Sequence, residues 1–369
     1  MIITILVTVL VLGVLIFVHE LGHFAAAKSV GIGVPRFSIG LGPKMLGFRR
    51  GETEYVLSWI PLGGYVRLAG MADEEITSKL EGGGDDPSGT AEHPAPGTSP
   101  GDFDAKSFPA RVLVISAGVI MNWLFAVVAF AAIAMGPGVL EPRIVEVEEG
   151  SPAAEAGLRS EDLIKRVDGA SVRDPTQVTM RIERRAGEPV DILVDRDGQD
   201  LTFVATPDAV ERYSDITGES RTVGRIGIRI GADGGRAGPI EALGRGWSNA
   251  AYWGGAVVQF LADLVTGRSS AREVGGPILI GEISGRAARA GFWELLGFMA
   301  IISINLAVFN LLPIPVLDGG TLLFLGIEGV RGRALTIEQR VRFTTVGMVF
   351  VVALMLWAVG NDILRVVLR

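Results

Sequence analysis

The stretch Val18-His19-Glu20-Leu21-Gly22-His23 closes an apolar run that starts at Met1, and residues 2–18 between them carry no charge. Such a run is long enough to cross a bilayer. His19 and His23 are four residues apart, so a helix puts both imidazoles on one face, where they can share a metal ion. Glu20, between them in the H-E-x-x-H pattern, stays free to accept a proton from water. Ionisable groups at such depth cost several kcal/mol and mark function by default. In a soluble helix the same short pattern arises by chance, and a structural role in an apolar span would be met more cheaply by leucine. A cleaved signal peptide is not expected, because there is no basic leader and charged residues stand where small ones would precede a cut.

The chain has 369 residues, of which 49% are hydrophobic and only 20% charged. That balance fits a polytopic membrane protein with a soluble part. A net charge of −7 with no basic cluster argues against a nucleic-acid partner. With no cysteine, thiolate metal ligands and disulfides are excluded.

Working outward, four apolar segments qualify as spans: roughly 2–27, 112–135, 295–317 and 343–360. Lys28, Arg36, Lys106, Arg111, Arg331, Arg333, Arg340 and Arg342 flank them on one side, which is expected to be cytoplasmic. His19 then lies ~27 Å along the first helix, toward that side. The domains expected are 1–27, the first span; 28–71, a β-hairpin region against the inner face; 72–107, a flexible linker carrying a solvated His93; and 108–136, the second span. A β-rich module follows at 137–207, then an extracytoplasmic or interfacial helical region at 208–291. The third membrane segment is 292–330 and the last 341–369. Gly118 and Asn122 in the second span suggest close helix approach and a hydrogen bond across helices. Gly275–Gly281 reads as a glycine-rich loop without a ligand.

A catalytic zinc takes three protein ligands. The chain has three histidines, and His93 falls on the linker, so the third ligand is expected to be a carboxylate. Among Glu294, Asp318 and Glu328, the first lies far from His19 in depth and the last is expected to be solvated near the basic loop. Asp318 ends Asn310-Leu-Leu-Pro-Ile-Pro-Val-Leu-Asp318-Gly-Gly320, where prolines break the helix at membrane depth, as is tolerated only beside a cavity or inside protein.

The run Gly150-Ser-Pro-Ala-Ala-Glu-Ala-Gly157-Leu, followed by Asp162-Leu-Ile and Asp168-Gly, resembles a PDZ domain of the kind attached to bacterial proteases. Together with H-E-L-G-H in the first span and N-L-L-P-I-P-V-L-D-G-G in the third, this order resembles the site-2 protease family, in its bacterial RseP-like type. The resemblance implies a polytopic α-helical membrane protein of four transmembrane helices, with a membrane-associated β-hairpin region and one extracytoplasmic PDZ (α+β) domain. It implies a Zn2+-dependent endopeptidase with His19, His23 and Asp318 as ligands and Glu20 as general base, and Asn310, Pro313 and Pro315 shaping the substrate cleft. The partners implied are the lipid bilayer, single-span membrane proteins such as an anti-sigma factor of sigma-E signalling or remnant signal peptides, and peptide termini or extended segments at the PDZ domain. The location implied is the bacterial inner membrane, with the active site toward the cytoplasm. A non-catalytic peptide receptor remains the rival reading, and a zinc transporter would need more intramembrane His and Asp than this chain has.

Overall fold

A computed structural model describes residues 2–71, 99–138, 140–213, 220–268, 270, 274–333 and 335–367. His93 and most of the expected linker lie outside the described residues. The chain divides into two compact units, one comprising 1–130 and 246–362, the other 131–245 and 363–369.

The first unit is built on long apolar helices. Helix α1 (Ile2–Ser29) is followed by strands β1 (Arg36–Arg50) and β2 (Thr53–Arg67), and then by helix α2 (Phe108–Met135). Among the described residues, four helices are long and apolar enough to cross a membrane: 3–29, 108–135, 292–310 and 338–367. Large side chains stay exposed along them, including Ile3 and Leu6 in the first helix and Val346, Val349 and Leu356 in the last. In water such faces would have to be covered. In hydrocarbon they need no cover.

The two strands do not form a plain hairpin. Phe37 stands opposite both Tyr55 and Val66, and Tyr55 opposite Phe48, so the 36–39 segment is flanked on each side. Trp59, Phe48 and Leu46 of this sheet are more than 60% exposed. The expected linker is corrected at its C-terminal end. Phe103 is 1% exposed, packs with Ile32, Val34 and Leu68, and donates its N–H to the Ala69 carbonyl, so residues 99–107 are held by the end of α1 and by the strand exit.

In the second unit, strands β3 (Leu140–Val147), β4 (Leu163–Val167), β5 (Ala170–Ser171), β6 (Val190–Arg196) and β7 (Gln199–Ala205) accompany two short helices, α3 (Pro152–Ala156) and α4 (Pro175–Glu183). The Ser151 hydroxyl and the Asp174 carboxylate cap these helices by accepting from Ala154 and Gln177 N–H. Inward Val190, Ile192 and Val194 alternate with outward residues and meet Val178 and Ile182 of α4 in one core.

The expected end of this module at 207, with helices to follow, is corrected. Residues 208–233 form β8 (Asp208–Tyr213), β9 (Ser220–Arg225) and β10 (Ile228–Asp233). The sheet order is β10-β3-β4-β6-β7, so the final strand pairs with the first and closes the core. The inward Ile226, Ile228 and Ile230 alternate with Gly227 and Arg229, and that period of two is the signal for a strand.

The described residues continue through helices α5 (Pro239–Val265), α6 (Pro277–Ala290), α7 (Phe292–Asn310), α8 (Asp318–Arg331) and α9 (Ile337–Val367). The expected glycine-rich loop is half helix, because Asp362 of α9 accepts from the N–H groups of Gly276, Ile278 and Leu279 and so caps α6 from a distance. Glu328, expected to be solvated, is 6% exposed and pairs with Arg111 of α2 and Arg340 of α9.

Candidate metal centre

The residues upstream of His19 are apolar and helix-compatible, so α1 carries His19 and His23 on one face, both 8% exposed. Asp318 reaches the same point by a different route. Helix α7 ends at Asn310, since Pro313 and Pro315 supply no N–H to continue it. The chain turns through 311–317 and restarts as α8 at Asp318. Val316 in that turn has φ of 103°, an unusual strain for a β-branched residue.

Gly319 and Gly320 hold the return tight. A Cβ on Gly319 would run into the Leu311 and Leu312 carbonyls, and one on Gly320 into that of Ile314. Only glycine permits this path, which starts a helix with the Asp318 carboxylate in its first turn.

His19 Nε2 lies 3.2 Å from Asp318 Oδ2, His23 Nε2 3.4 Å from the same oxygen, and the two Nε2 atoms 3.2 Å apart. Zinc at its usual bond lengths of about 2.0–2.2 Å spaces tetrahedral ligands about 3.3–3.6 Å apart. The triangle is within about 0.1 Å of one face of such a tetrahedron. Asp318 Oδ2 is buried and, among the described residues, has no partner in hydrogen-bond geometry beyond the two imidazole nitrogens that face it, so a cation between the three would satisfy the anion. The ligand atoms of His19, His23 and Asp318 are the set among the described residues that could hold a metal, and a three-residue donor set leaves a fourth position open.

Glu20 is next to this set. The Val66 main chain hydrogen-bonds its carboxylate, and Gly64 of the same strand packs on it, a Cβ there falling 3.2 Å from Glu20 Cγ. Asn310 Nδ2 lies 3.3 Å from His19 Nε2, the nitrogen that faces Asp318. Pro313 and Pro315 lie in the turn, where the Pro315 main chain meets Gly347 of α9. Glu294 begins α7 and is not in the cluster.

The expected close approach at Gly118 and cross-helix hydrogen bond of Asn122 are present, and their partners, which the sequence did not name, are the two imidazoles. His23 Nδ1 lies 2.8 Å from the Val114 carbonyl, Asn122 stands 3.2 Å from His19 Nδ1, and Gly118 lies against both rings. The four-residue spacing of Gly118 and Asn122 signalled the approach and the hydrogen bond, whereas the Val114 carbonyl left no signal in the sequence.

Comparison with known proteins agrees in kind. Peptidase family M50 matches residues 7–354. A protein of Agrobacterium fabrum named as a zinc metalloprotease is 34% identical, over 96% of this chain and 94% of its own length. A Clostridium perfringens protein of similar name is 33% identical over 98% of each chain. The regulator of sigma-W protease RasP of Bacillus subtilis is 30% identical over 99% of each.

Proposed function

The chain belongs to peptidase family M50, and from that premise we propose that it hydrolyses peptide bonds within transmembrane segments of single-span membrane proteins. It is a multi-pass membrane protein and a zinc-dependent metalloprotease. The finer reading assigns His19, His23 and Asp318 to the zinc and Glu20 to the proton transfers. One observation carries it: three ligand atoms 3.2–3.4 Å apart, with a buried carboxylate oxygen, at the end of an apolar helix.

When bound, zinc supplies Lewis-acid polarisation of the scissile carbonyl and acidifies a coordinated water. Glu20 takes one proton from the attacking water as its oxygen bonds to the carbonyl carbon. The carbon–nitrogen bond then breaks, and the protonated Glu20 gives its proton to the leaving amine. The Val66 N–H holds the Glu20 carboxylate in place for both transfers. The Asn310 amide, beside His19, is positioned to donate to the substrate carbonyl oxygen, while Pro313 and Pro315 keep the 311–317 turn open as a cleft wall.

A helical substrate has its carbonyls bonded internally, so it must unwind before attack. The β1–β2 region, whose 64–67 segment adjoins Glu20, supports a role in receiving the extended chain. The second unit reads as a PDZ domain, and a groove of about 150 Å³ between α4 (Thr179, Ile182) and the Gly224–Ile230 segment supports capture of a peptide end or extended segment along β10. The basic flanks support an inner-membrane orientation with the metal toward the cytoplasm and this unit outside. A membrane-anchored anti-sigma factor, of the sigma-E kind or another, and remnant signal peptides are the substrates proposed.

The test is Glu20→Gln in the purified full chain. It should retain one equivalent of zinc and lose cleavage of a single-span substrate, and cleavage at the wild-type rate would end this assignment.

A further inference from the structure

Helix α2 contributes a stripe to the metal centre in which Val114, Gly118 and Asn122 follow at intervals of four, on one face. Each does something different. A carbonyl can only accept, so the 2.8 Å contact between His23 Nδ1 and Val114 O puts a proton on Nδ1, and in the neutral ring that a metal requires Nε2 then carries the lone pair on the side of Asp318. Gly118 is the notch. A Cβ there would strike His23 Nε2 and lie 2.6 Å and 2.7 Å from His19 Cε1 and Nε2, so the two rings fit only against bare backbone.

Asn122 has no solvent exposure, and among the described residues its Oδ1 has no hydrogen-bond partner. Its side-chain amide lies 3.2 Å from His19 Nδ1, which is the ring atom away from Asp318. If His19 Nε2 is to ligate, its proton must sit on Nδ1, and that N–H needs an acceptor. The amide oxygen and nitrogen are interchangeable by a half-turn of the side chain. With the oxygen toward the ring, the buried acceptor and the ring N–H satisfy one another. The same residue is anchored through its main chain, whose carbonyl accepts from Ser303 Oγ of α7 at 2.9 Å.

We propose that Asn122 is a positioning residue for His19, accepting the Nδ1–H through Oδ1 as the Val114 carbonyl does for His23, with Gly118 admitting both rings. The second helix thus sets the tautomer and plane of both imidazoles on the first, and the pair arrives preorganised for the metal. This rests on the reading of His19, His23 and Asp318 as zinc ligands. Partners of this kind are worth roughly 10–100-fold in metal affinity.

The experiment measures zinc affinity of the full chain in detergent by chelator competition. Asn122→Ser shortens the side chain out of reach of the ring, and Asn122→Asp keeps the acceptor. Asn122→Ser should weaken zinc binding about 10–100-fold and Asn122→Asp by no more than about threefold. Ser303→Ala, which removes only the main-chain anchor, should leave affinity near wild type. If Asn122→Ser binds zinc as tightly as wild type, or Asn122→Asp is as weak as Asn122→Ser, the proposal is overturned. Should Asn122→Ser not fold, the ratio of Asn122→Asp to wild type decides alone, a loss above tenfold counting against. His19→Ala separates the two readings. Lost zinc there with tight zinc in Asn122→Ser removes only the positioning role, whereas tight zinc in both removes the ligand assignment itself.

Discussion

His19 Nε2 and Asp318 Oδ2, from helices at opposite ends of the chain, lie 3.2 Å apart, and among the described residues the two imidazoles are the groups that face that buried oxygen. The acid is held there by a turn rather than by a continuous helix. Its chemistry therefore depends on both the carboxylate and the path that delivers it.

Replacing the carboxylate with its amide isolates the first dependence. Asp318→Asn keeps the shape but removes the anionic ligand, so bound zinc should fall well below one equivalent by elemental analysis, with proteolysis lost. One full equivalent together with normal activity would take Asp318 out of the site.

Gly319→Ala addresses the path. Its Cβ would meet the Leu311 and Leu312 carbonyls, so the 311–317 turn must shift and carry Asp318 with it. Because misplacement of about 1 Å can cost on the order of 100-fold, cleavage should drop by that order while far-ultraviolet circular dichroism stays unchanged. Wild-type turnover in this variant would show that the turn has slack.

Asp362 offers a prediction far from the chemistry. Its carboxylate accepts three main-chain N–H groups at the start of α6, so Asp362→Ala should destabilise that helix end by about 1–2 kcal/mol. Hydrogen exchange at 276–280 should quicken and zinc content remain unchanged. Unaltered exchange at those amides would mean that the cap is dispensable.

In the second unit, Asp162 is fully buried and its two oxygens take a bidentate pair of 2.7 Å bonds from Arg196. Arg196→Leu strands that charge and should cost about 3–5 kcal/mol, read as a lowered unfolding midpoint of the β-rich unit. The double variant Asp162→Asn with Arg196→Leu should recover part of the loss. Equal instability of the single and double variants would place the effect in lost packing.

Much of this protein was legible because the relevant signals are local. Hydropathy marked the four spans, since a bilayer-length run needs nothing beyond its own residues. The four-residue spacing of His19 and His23 is a property of one helix. Asp318 came from counting: two usable histidines and no cysteine leave a carboxylate. Where readings failed, the deciding partner was remote. Strand β10 is defined by pairing with β3, more than 80 residues earlier. The start of α6 depends on Asp362, Glu328 is buried because Arg111 and Arg340 converge on it, and Phe103 is fixed by Ala69.

The sequence by itself determined which segments are long and apolar enough to cross a membrane, which side chains could ligate, and that the third apolar segment must break before Asp318, because hydropathy, helical spacing and proline's missing N–H act within a few residues. Tertiary structure alone decided how the ligands are held. Gly118 and Asn122 announced a close approach and a hydrogen bond across helices, but that their partners, and that of the Val114 carbonyl, are the two imidazoles appears only once α2 lies against α1, because a hydrogen bond or a steric notch exists only between surfaces that folding has brought together.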